Sequence, residues 1–528
     1  MKKLNPLFYW YGAISIGAVF VRILYRLPPT IFNDDEAVSA LVAKHILELK
    51  AFPIYRPYAH YVGMLSSYIG ALFFKLFGIS SFTWSLVGLL YSCVWIVLTY
   101  LLAKRILSPL GCLVAFIFVC LPSWRVLACS LFTGGVPAET LLFGTLLILL
   151  LIQWNDSDNN YRIVCGTLGF VSGFGLWTSP GIVPFILTIV TVAIIRKKKE
   201  MFPASFILFA LFFCIGYLPG IVYNIQHPGA QLFRFAGRIL DLDRSVLSSP
   251  DIKKILFQRI VWRISIIPRS FLRIPVMLAS LVGVLPAALF AVSFALVWKK
   301  GSWWRTTDKK ISAFGILSIF TFWFVIFYSV LVEKHPWGNW RYAIPLVVVM
   351  PIFIGKLACS IKEKSWRLFI IFVAILVLLN IYDLGRELVK RKISTYGELA
   401  AQLVTERISC AYADHWTAYP VQFESKEKVL LSPTLFDPAI SDRFPEQTEK
   451  VRAASDAVFI IDREEWPQVM VAIENRLGEL GVSYRKELYK EFVIYAKFSR
   501  RIYPEELNLS HAAQSKVPVM PWTVRISD

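Results

Sequence analysis

Three consecutive acidic residues, Asp34, Asp35 and Glu36, follow the first apolar segment of the chain. That segment, residues 7–25, is long and apolar enough to span a bilayer, so the acids lie at a membrane boundary. Adjacent like charges repel one another, and such a cluster suits a site that holds a cation, a substrate hydroxyl or a proton. The alternative is a solvated helix start, with Asp34 or Asp35 as N-cap. The pattern therefore indicates either acid–base chemistry at the membrane face or an ordinary helix terminus.

The composition is that of an integral membrane protein: 56% of the 528 residues are hydrophobic and 15% aromatic. Lys2 and Lys3 precede the first apolar segment, which ends without a small-residue cleavage site and is expected to be a retained anchor. The 8 cysteines lie mostly in apolar runs, and the sequence shows neither metal-ligand spacing nor a disulfide framework. We expect membrane lipids and no nucleic acid as partners. No cofactor is required by the sequence, although the three acids could bind a divalent cation.

Apolar spacing predicts a mostly α-helical, polytopic protein with about eleven transmembrane helices. The segments after the first are 83–103, 109–123, 136–153, 163–177, 180–195, 203–222, 275–298, 311–332, 341–358 and 366–384. Basic clusters occur at Lys104/Arg105, Arg196 to Lys199, Lys299 to Lys310 and Lys356 to Arg367. Short basic loops favour the cytoplasm. All four clusters lie on the same side of the membrane as the N-terminus only if the apolar stretch 61–78 does not cross it. That stretch would then be interfacial or re-entrant.

This topology predicts a protein of the plasma (inner) membrane, with the N-terminus in the cytoplasm and the acidic cluster outside. The long external loop 223–274 is unusually basic and includes Arg259 and Arg263. Loops of this length partly escape the positive-inside rule. The loop suits an anionic lipid headgroup or pyrophosphate, and the alternative is snorkelling to lipid phosphates.

The chain changes character near residue 385, which predicts a membrane-embedded domain 1–385 and an extracytoplasmic region 386–528. The second region alternates helix-like stretches, 395–406 and 464–479, with short strand-like ones. The strand-like stretches are 408–413, 428–432, 457–462 and 491–498. The pattern is typical of a small α/β domain. Residues 412–416 could contact a glycan or acceptor, or simply form domain surface.

Several short motifs resemble those of the membrane-embedded GT-C glycosyltransferases, over roughly residues 5–385. An apolar span, then Asp35-Glu36-Ala37 and an amphipathic helix, resembles the opening of the protein O-mannosyltransferase and aminoarabinose transferase group (glycosyltransferase family 39). Residues 57–65, 76–80, 216–224 and 340–345 resemble later segments of that group. The family usually shows a single Asp-Glu pair, whereas here Asp34 precedes it, so either aspartate is a candidate.

The resemblance implies transfer of a sugar from a polyprenyl-phosphate-linked donor to an acceptor hydroxyl of a protein, lipid or glycan outside the cytoplasm. A carboxylate must take the acceptor proton, and we expect this base to be Asp35 in the first external loop, with Asp34 and Glu36 as further catalytic residues. Positive charge must stabilise the departing phosphate, a role that suits Arg341 beside Tyr342. The alternative for these two residues is an aromatic-belt anchor. The remaining candidates for substrate binding are His60, Tyr61, Arg56 and Glu139, with the loop arginines Arg259 and Arg263.

Two other classes of protein remain alternatives. A polytopic transporter or lipid flippase should carry charged or broken helices near mid-membrane and internal repeats. In this sequence the charges cluster instead at external helix ends, and no two halves resemble each other. A membrane receptor with an external sensing domain would leave the acidic cluster unexplained. The leading hypothesis is a glycosyltransferase, a hexosyl- or pentosyltransferase.

Overall fold

Long apolar stretches form helices in the first 390 residues, because in hydrocarbon each backbone polar group must be bonded within its own segment. The computed structural model describes residues 6–27, 32–156, 161–196, 202–229, 258, 274–299, 311–331, 340–390, 394–436 and 442–509. The first helices are α1 (Pro6–Arg26), α2 (Asp34–Leu47), α3 (Leu65–Phe77), α4 (Ser81–Ile106), α5 (Pro109–Cys120), α6 (Trp124–Leu131) and α7 (Pro137–Asp156). They are followed by α8 (Tyr161–Thr178), α9 (Val183–Arg196), α10 (Phe202–Gly216) and α11 (Leu218–Gln226). Next come α12 (Val284–Lys299), α13 (Ala313–Leu331), α14 (Ile344–Val347), α15 (Met350–Lys364) and α16 (Trp366–Lys390). Short 3₁₀ helices cover Pro180–Ile182 and Trp340–Ala343.

Each of the eleven predicted segments contains helix. Among the described residues, α4, α7 and α16 are long and apolar enough to cross a bilayer alone, and up to six spans result if three bent helix pairs each count as one. The bend between α5 and α6 is 76°. The number eleven therefore stays a prediction.

The ambiguous stretch 61–78 forms part of a β-hairpin followed by a short helix. Strands β1 (Tyr55–Arg56) and β2 (Ala59–Gly63) pair antiparallel, and α3 follows. With 13 residues at 1.5 Å each, α3 is about 20 Å long, which is too short to span the hydrocarbon core. Tyr58 at the hairpin turn, directly after Pro57, has φ +59°, which lies in the left-handed region. The hairpin and α3 position side chains beside α2.

Residues 394–509 form a five-stranded sheet with helices on both faces, which we name the C-terminal unit. Its elements are α17 (Tyr396–Thr405), β3 (Cys410–Tyr412), α18 (His415–Glu424), β4 (Leu430–Ser432), α19 (Pro445–Ala453), β5 (Val458–Asp462), α20 (Pro467–Glu479), β6 (Arg485–Tyr489), β7 (Phe492–Ala496) and α21 (Pro504–Leu507). The strand order is β4-β3-β5-β7-β6. Strands β3, β4 and β5 are parallel, and β7 pairs antiparallel with β5 and β6.

Alternating residues of the central strands fill two separate cores, as a sheet covered on both faces requires. Phe459 and Ile461 pack with α20 in one core, whereas Val458 and Ile460 pack with α17 and α18 in the other. Four of the strands lie within the predicted stretches, while β6 was not predicted. Helix α16 runs without a break through the predicted domain boundary at 385/386.

The C-terminal unit contacts the membrane-embedded part through α18. Phe423 of α18 has its ring centroid 5.1 Å from that of Phe32 and 5.9 Å from that of Phe74. Phe423 and Tyr419 belong to the same buried cluster as α2 and α3. This apolar contact brings the loops of the C-terminal unit to the acidic cluster.

Candidate functional site at the start of α2

The acidic cluster forms the first turn of α2, and its N-cap is Asn33, not Asp34 or Asp35. The Asn33 side-chain oxygen accepts a hydrogen bond from the Glu36 backbone N at 2.7 Å. Capping by Asn33 leaves all three carboxylates free for other contacts. The partial positive charge at the helix N-terminus favours them. Successive residues on a helix point about 100° apart, and the three side chains accordingly have different partners.

Glu36 points into the protein. Its side chain is 1% exposed and forms a bidentate ion pair with Arg26, with distances of 2.6 Å and 3.1 Å. Glu36 Oε1 also lies 3.4 Å from the backbone N and the Oγ1 of Thr133. A carboxylate enclosed in this way has no route to a substrate. Through these contacts Glu36 positions α1 and the loop at Thr133 against the start of α2, and its catalytic role stays a prediction.

Arg22 and Arg26 of α1, which lie one turn apart, donate hydrogen bonds to carbonyl groups at the C-terminal ends of α5 and α6. Arg26 donates to the backbone O of Leu131 at the end of α6. Arg22, which is fully buried, donates to the carbonyls of Val119 (3.0 Å) and Cys120 (3.1 Å) at the end of α5. Helix C-termini leave carbonyl groups unbonded and carry partial negative charge, so cations are favourable there. The arginines fix the backbone that leads to residues 133 and 134 beside the acids.

Asp35 is the most exposed of the three acids, with 29% of its side chain accessible. Its Oδ1 is 2.5 Å from Nη2 of Arg56, which also donates to the Asp35 backbone O at 3.0 Å. Arg56 Nη1 donates to the Gly134 backbone O at 2.6 Å. The Arg56 side chain is only 5% exposed, and its donors serve the protein. We expected Arg56 to bind substrate, but this arrangement fits a residue that positions Asp35 better.

Gly134 lies against the backbone of the acidic turn. A Cβ at this position would lie 2.5 Å from both the Asp35 carbonyl carbon and the Glu36 nitrogen. Real Cβ contacts are essentially never below 3.0 Å. Only glycine allows this approach, which closes one side of the Asp35 peptide.

Asp34 is paired with the C-terminal unit. Its Oδ2 is 3.2 Å from Nε2 of His415, the first residue of α18. Burial alone would raise the pKa of the Asp34 carboxyl. The hydrogen bond and charge of His415, with the charge of Arg56, outweigh burial and hold the pKa below its ordinary value. Asp34 therefore remains a carboxylate that joins the two parts of the protein.

Arg443 of the C-terminal unit also reaches the site. Its Nη1 donates to the Pro57 backbone O at 3.1 Å, and its backbone N donates to the Tyr419 hydroxyl at 2.7 Å. Burial and the nearby charge of Arg56 lower the pKa of Arg443, while the charge of Asp35 opposes this. Nothing in the local sequence distinguishes Arg443 from other arginines, so the sequence did not predict it. The sequence did single out His415 as a possible acceptor contact.

A second cationic side chain near the site, Arg341, belongs to the membrane-embedded part. Arg341 lies in the 3₁₀ helix Trp340–Ala343, with its guanidinium carbon 5.5 Å from the Tyr342 ring centroid. The negative charge of Asp35 acts on Arg341, and Tyr61 also lies near it. The predicted residues Arg341, Tyr342 and Tyr61 are thus brought to the Asp35 side of the protein.

The other predicted residues lie in separate surroundings. His60 is hydrogen-bonded through Nδ1 to the hydroxyl of Tyr223, whose ring stacks on His227 at 4.5 Å. Glu139 is buried at 3% exposure, is hydrogen-bonded to Ser66, and has one oxygen, Oε2, without a hydrogen-bond partner. In the described part of the chain, Glu139 is bonded to Ser66 and Asp35 to Arg56, with no hydrogen bond between the two acids.

Arg259 and Arg263, predicted in the long external loop, lie outside the described residues. Within the described ranges, no group of three or more His, Cys, Asp or Glu side chains has the arrangement of a metal site.

Both ends of α2 contact the C-terminal unit. At its C-terminal end, Glu427 forms an ion pair with Lys44, lies 2.8 Å from His45 Nε2, and accepts from Gln447 at 2.7 Å. Burial acts to raise the pKa of Glu427, but its hydrogen bonds and ion pairs with His45 and Lys44 lower it to about 2. The site is therefore built from α2, the hairpin, the loop around Gly134 and the C-terminal unit.

No protein-family model and no curated protein matches the chain at the sequence level. Solved structures do match its fold. The structure of ArnT from Cupriavidus metallidurans bound to undecaprenyl phosphate superposes with a TM-score of 0.61 at 12% identity, covering 93% of this chain and 98% of that chain. The archaeal oligosaccharyltransferase AglB from Archaeoglobus fulgidus, in complex with an inhibitory peptide and a dolichol-phosphate, gives a TM-score of 0.54 at 11% identity, covering 95% of this chain and 77% of that chain. The chain therefore has the GT-C glycosyltransferase fold.

Proposed function

We propose that the protein is a glycosyltransferase that moves a sugar from a polyprenyl-phosphate-linked donor to an acceptor hydroxyl, with Asp35 as general base. The observation that carries the proposal is the placement of Asp35. It is a partly exposed carboxylate fixed by Arg56, and Arg341 lies within reach of its charge. Two proteins of similar fold were solved with undecaprenyl phosphate and with a dolichol-phosphate, which supports a lipid-phosphate donor.

In this mechanism the acceptor oxygen attacks the anomeric carbon of the donor sugar. The bond between that carbon and the phosphate oxygen breaks, and its electron pair stays on the phosphate. The acceptor proton passes to Asp35 as the new glycosidic bond forms. A carboxylate is sufficient for this step, because the acceptor hydroxyl becomes strongly acidic once its oxygen bonds to carbon.

The contacts of Asp35 support its choice over the other acids. Glu36 is enclosed with Arg26, and Asp34 is committed to His415. Asp35 keeps 29% of its side chain accessible while its backbone is held by Arg56. A base must be both reachable and fixed in place.

Arg341 is suited to stabilise the departing lipid phosphate, which is the leaving group. A planar guanidinium can donate two parallel hydrogen bonds to phosphate oxygens, and the phosphate gains negative charge as the sugar departs. The stacking of Arg341 on Tyr342 orients the guanidinium. We place the reaction on the extracytoplasmic side of the membrane, where the basic loop pattern puts the acidic cluster.

Transfer from a synthetic polyprenyl-phosphate sugar by the purified protein tests the proposal. Replacing Asp35 by Asn should lower turnover by about two to four orders of magnitude, since a general base is lost. Asp34→Asn should have a smaller effect. The exposed Asp456→Asn of the C-terminal unit is the matched control and should retain parental turnover. Full activity of Asp35→Asn would refute the assigned base. Movement of intact lipid across vesicles without cleavage of the sugar–phosphate bond would favour the flippase alternative.

Two further measurements address sidedness and metal use. A cysteine at exposed position 463 should react with an impermeant reagent added outside, and a cysteine at exposed position 104 should not. Reaction of both from the same side would contradict the topology. Turnover in EDTA and after addition of Mg²⁺ measures whether a divalent cation takes part.

A further inference from the structure

Arg443 is a partly buried guanidinium for which the described residues provide no carboxylate partner. Its Nη1 donates to a backbone oxygen, and its Nε is buried without a hydrogen-bond partner. The charges of Asp34, Asp35 and Arg56 all act on it. Burying a cation without an anionic partner is unfavourable, so the position of Arg443 calls for an anionic ligand.

The other charges of the site do not supply that partner. Asp35 is paired with Arg56 at 2.5 Å, and Asp34 with His415 at 3.2 Å. Within the described part of the chain, Arg341 likewise has no carboxylate within ion-pair distance and contacts Tyr342 instead. Two cationic side chains near Asp35 therefore have no carboxylate partner among the described residues. They are Arg443 of the C-terminal unit and Arg341 of the membrane-embedded part.

Hydrogen bonds fix the conformation of the loop that carries Arg443. Asp442 Oδ1 accepts from the Phe444 backbone N at 3.0 Å, and the Tyr419 hydroxyl lies 3.4 Å from the same oxygen. Tyr419 is 1% exposed and is packed among the side chains of α2 and α3. The position of Arg443 is thus fixed relative to α2, as a specific contact with substrate requires.

We propose that Arg443 binds an anionic oxygen of the substrate, and that the C-terminal unit thereby supplies part of the substrate site at Asp35. The inference rests on the proposed function for the identity of the donor, whose phosphate is the first source of such an oxygen. A sugar-linked phosphodiester carries one negative charge. When the bond to the anomeric carbon breaks, both electrons stay on the phosphate oxygen, and the monoester carries between about −1.5 and −2 at neutral pH. Two guanidinium groups, those of Arg341 and Arg443, balance this larger negative charge better than one.

An anionic group on the acceptor is the second source of the same chemistry. Binding experiments separate the two sources without requiring turnover. The probes are undecaprenyl phosphate, undecaprenol (the same chain without phosphate) and inorganic phosphate. Each is titrated into the full-length protein in detergent, and its dissociation constant is measured for the parent and for Arg443→Gln, Arg443→Lys and Arg463→Gln. Arg463 is exposed on the same unit and serves as the control.

We expect Arg443→Gln to weaken undecaprenyl phosphate binding about 10- to 100-fold, the usual effect of losing hydrogen bonds to a charged group. Arg443→Lys should be intermediate, because an ammonium keeps the charge but not the planar fork. Undecaprenol binding should be the same in all variants, which a merely structural role of Arg443 would not produce. Arg463→Gln should match the parent.

The remaining outcomes are equally distinct. If only inorganic phosphate binding falls, Arg443 serves an anion of the acceptor and not the donor. If neither phosphate probe is affected, or if undecaprenol binding falls equally, the proposal is overturned. Undecaprenyl phosphate binding that depends on Arg443 in a protein without transfer activity would uphold the anion site while rejecting the proposed reaction.

Discussion

Replacing Gly134 by alanine tests whether the backbone contact beside Asp35 sets the position of the proposed base. The new Cβ would lie 2.5 Å from the Asp35 carbonyl carbon, 2.5 Å from the Glu36 nitrogen and 2.8 Å from the Asp35 oxygen. All three are backbone atoms, so no side chain can rotate away. To reach 3.0–3.4 Å, the two segments must separate by about 0.5–0.9 Å.

A displacement of that size should lower turnover strongly while leaving donor binding nearly unchanged. A misplacement of about 1 Å costs roughly a hundredfold in rate, so we expect a loss of about 10- to 100-fold. Arg341, the proposed phosphate ligand, is on a different segment, so binding of undecaprenyl phosphate should change less than about threefold.

The assay compares turnover of a polyprenyl-phosphate sugar with the affinity for undecaprenyl phosphate in Gly134→Ala. Gly17→Ala is the matched control, since a Cβ there meets nothing within 4 Å. Parental turnover in Gly134→Ala would refute the reasoning, because the acidic turn would then tolerate the displacement. An equal loss of binding and turnover would show that the substitution disturbs the whole site.

Three further changes have distinct expected outcomes. Glu36→Gln leaves Arg26 without its buried partner and should lower the free energy of unfolding by about 3–5 kcal/mol, measured by thermal melting in detergent; an unchanged melting temperature would contradict the positioning role. Arg341→Lys should reduce both donor affinity and turnover, because lysine lacks the two-donor fork, and kinetics equal to the parent would return Arg341 to an aromatic-belt role. Glu427 has a folded pKa of about 2, below its ordinary 4.5, so its ion pairs stabilise the protein above about pH 4.5. That stability, on the order of 2–3 kcal/mol, should be lost as the pH falls towards 2. Glu427→Gln should lack this part of the pH dependence, and a parental pH profile of unfolding would contradict it.

Local sequence patterns predicted the helical elements and the position of the acidic turn. Apolar runs predict helices because the bilayer leaves the backbone few alternatives. The three acids after the first run form the first turn of a helix, which was one of the two interpretations of the pattern, and the capping residue is Asn33. Asparagine and aspartate cap helices about equally well, so the sequence alone does not choose between them. Strand β6 was not predicted, because it lies at the sheet edge and four of its five residues are polar or charged.

The partners of the acids could not be predicted in the same way. Which arginine pairs with Glu36, and which with Asp35, depends on how α1 and the hairpin pack on α2. Arg26 and Arg56 are similar in sequence context, yet each is committed to a different carboxylate. His415 and Arg443 are nearly four hundred residues away in the chain. No local sequence pattern links them to the acidic turn.

The contacts of α2 support a part for the C-terminal unit in the proposed reaction. Asp34 at the start of α2 pairs with His415, and Lys44 near its end pairs with Glu427. The unit therefore holds the helix at both ends, and any shift of the unit relative to the membrane-embedded part must move the turn that carries Asp35 or break these ion pairs. Composition divides the chain near residue 385, but the site is assembled across that division. A protein that transfers a membrane-held sugar to an acceptor outside has to bring both substrates to one carboxylate. The proposed base Asp35 lies on a helix turn that both parts of the protein contact, through Arg56 on one side and through the pairing of Asp34 with His415 on the other, and this arrangement meets that requirement.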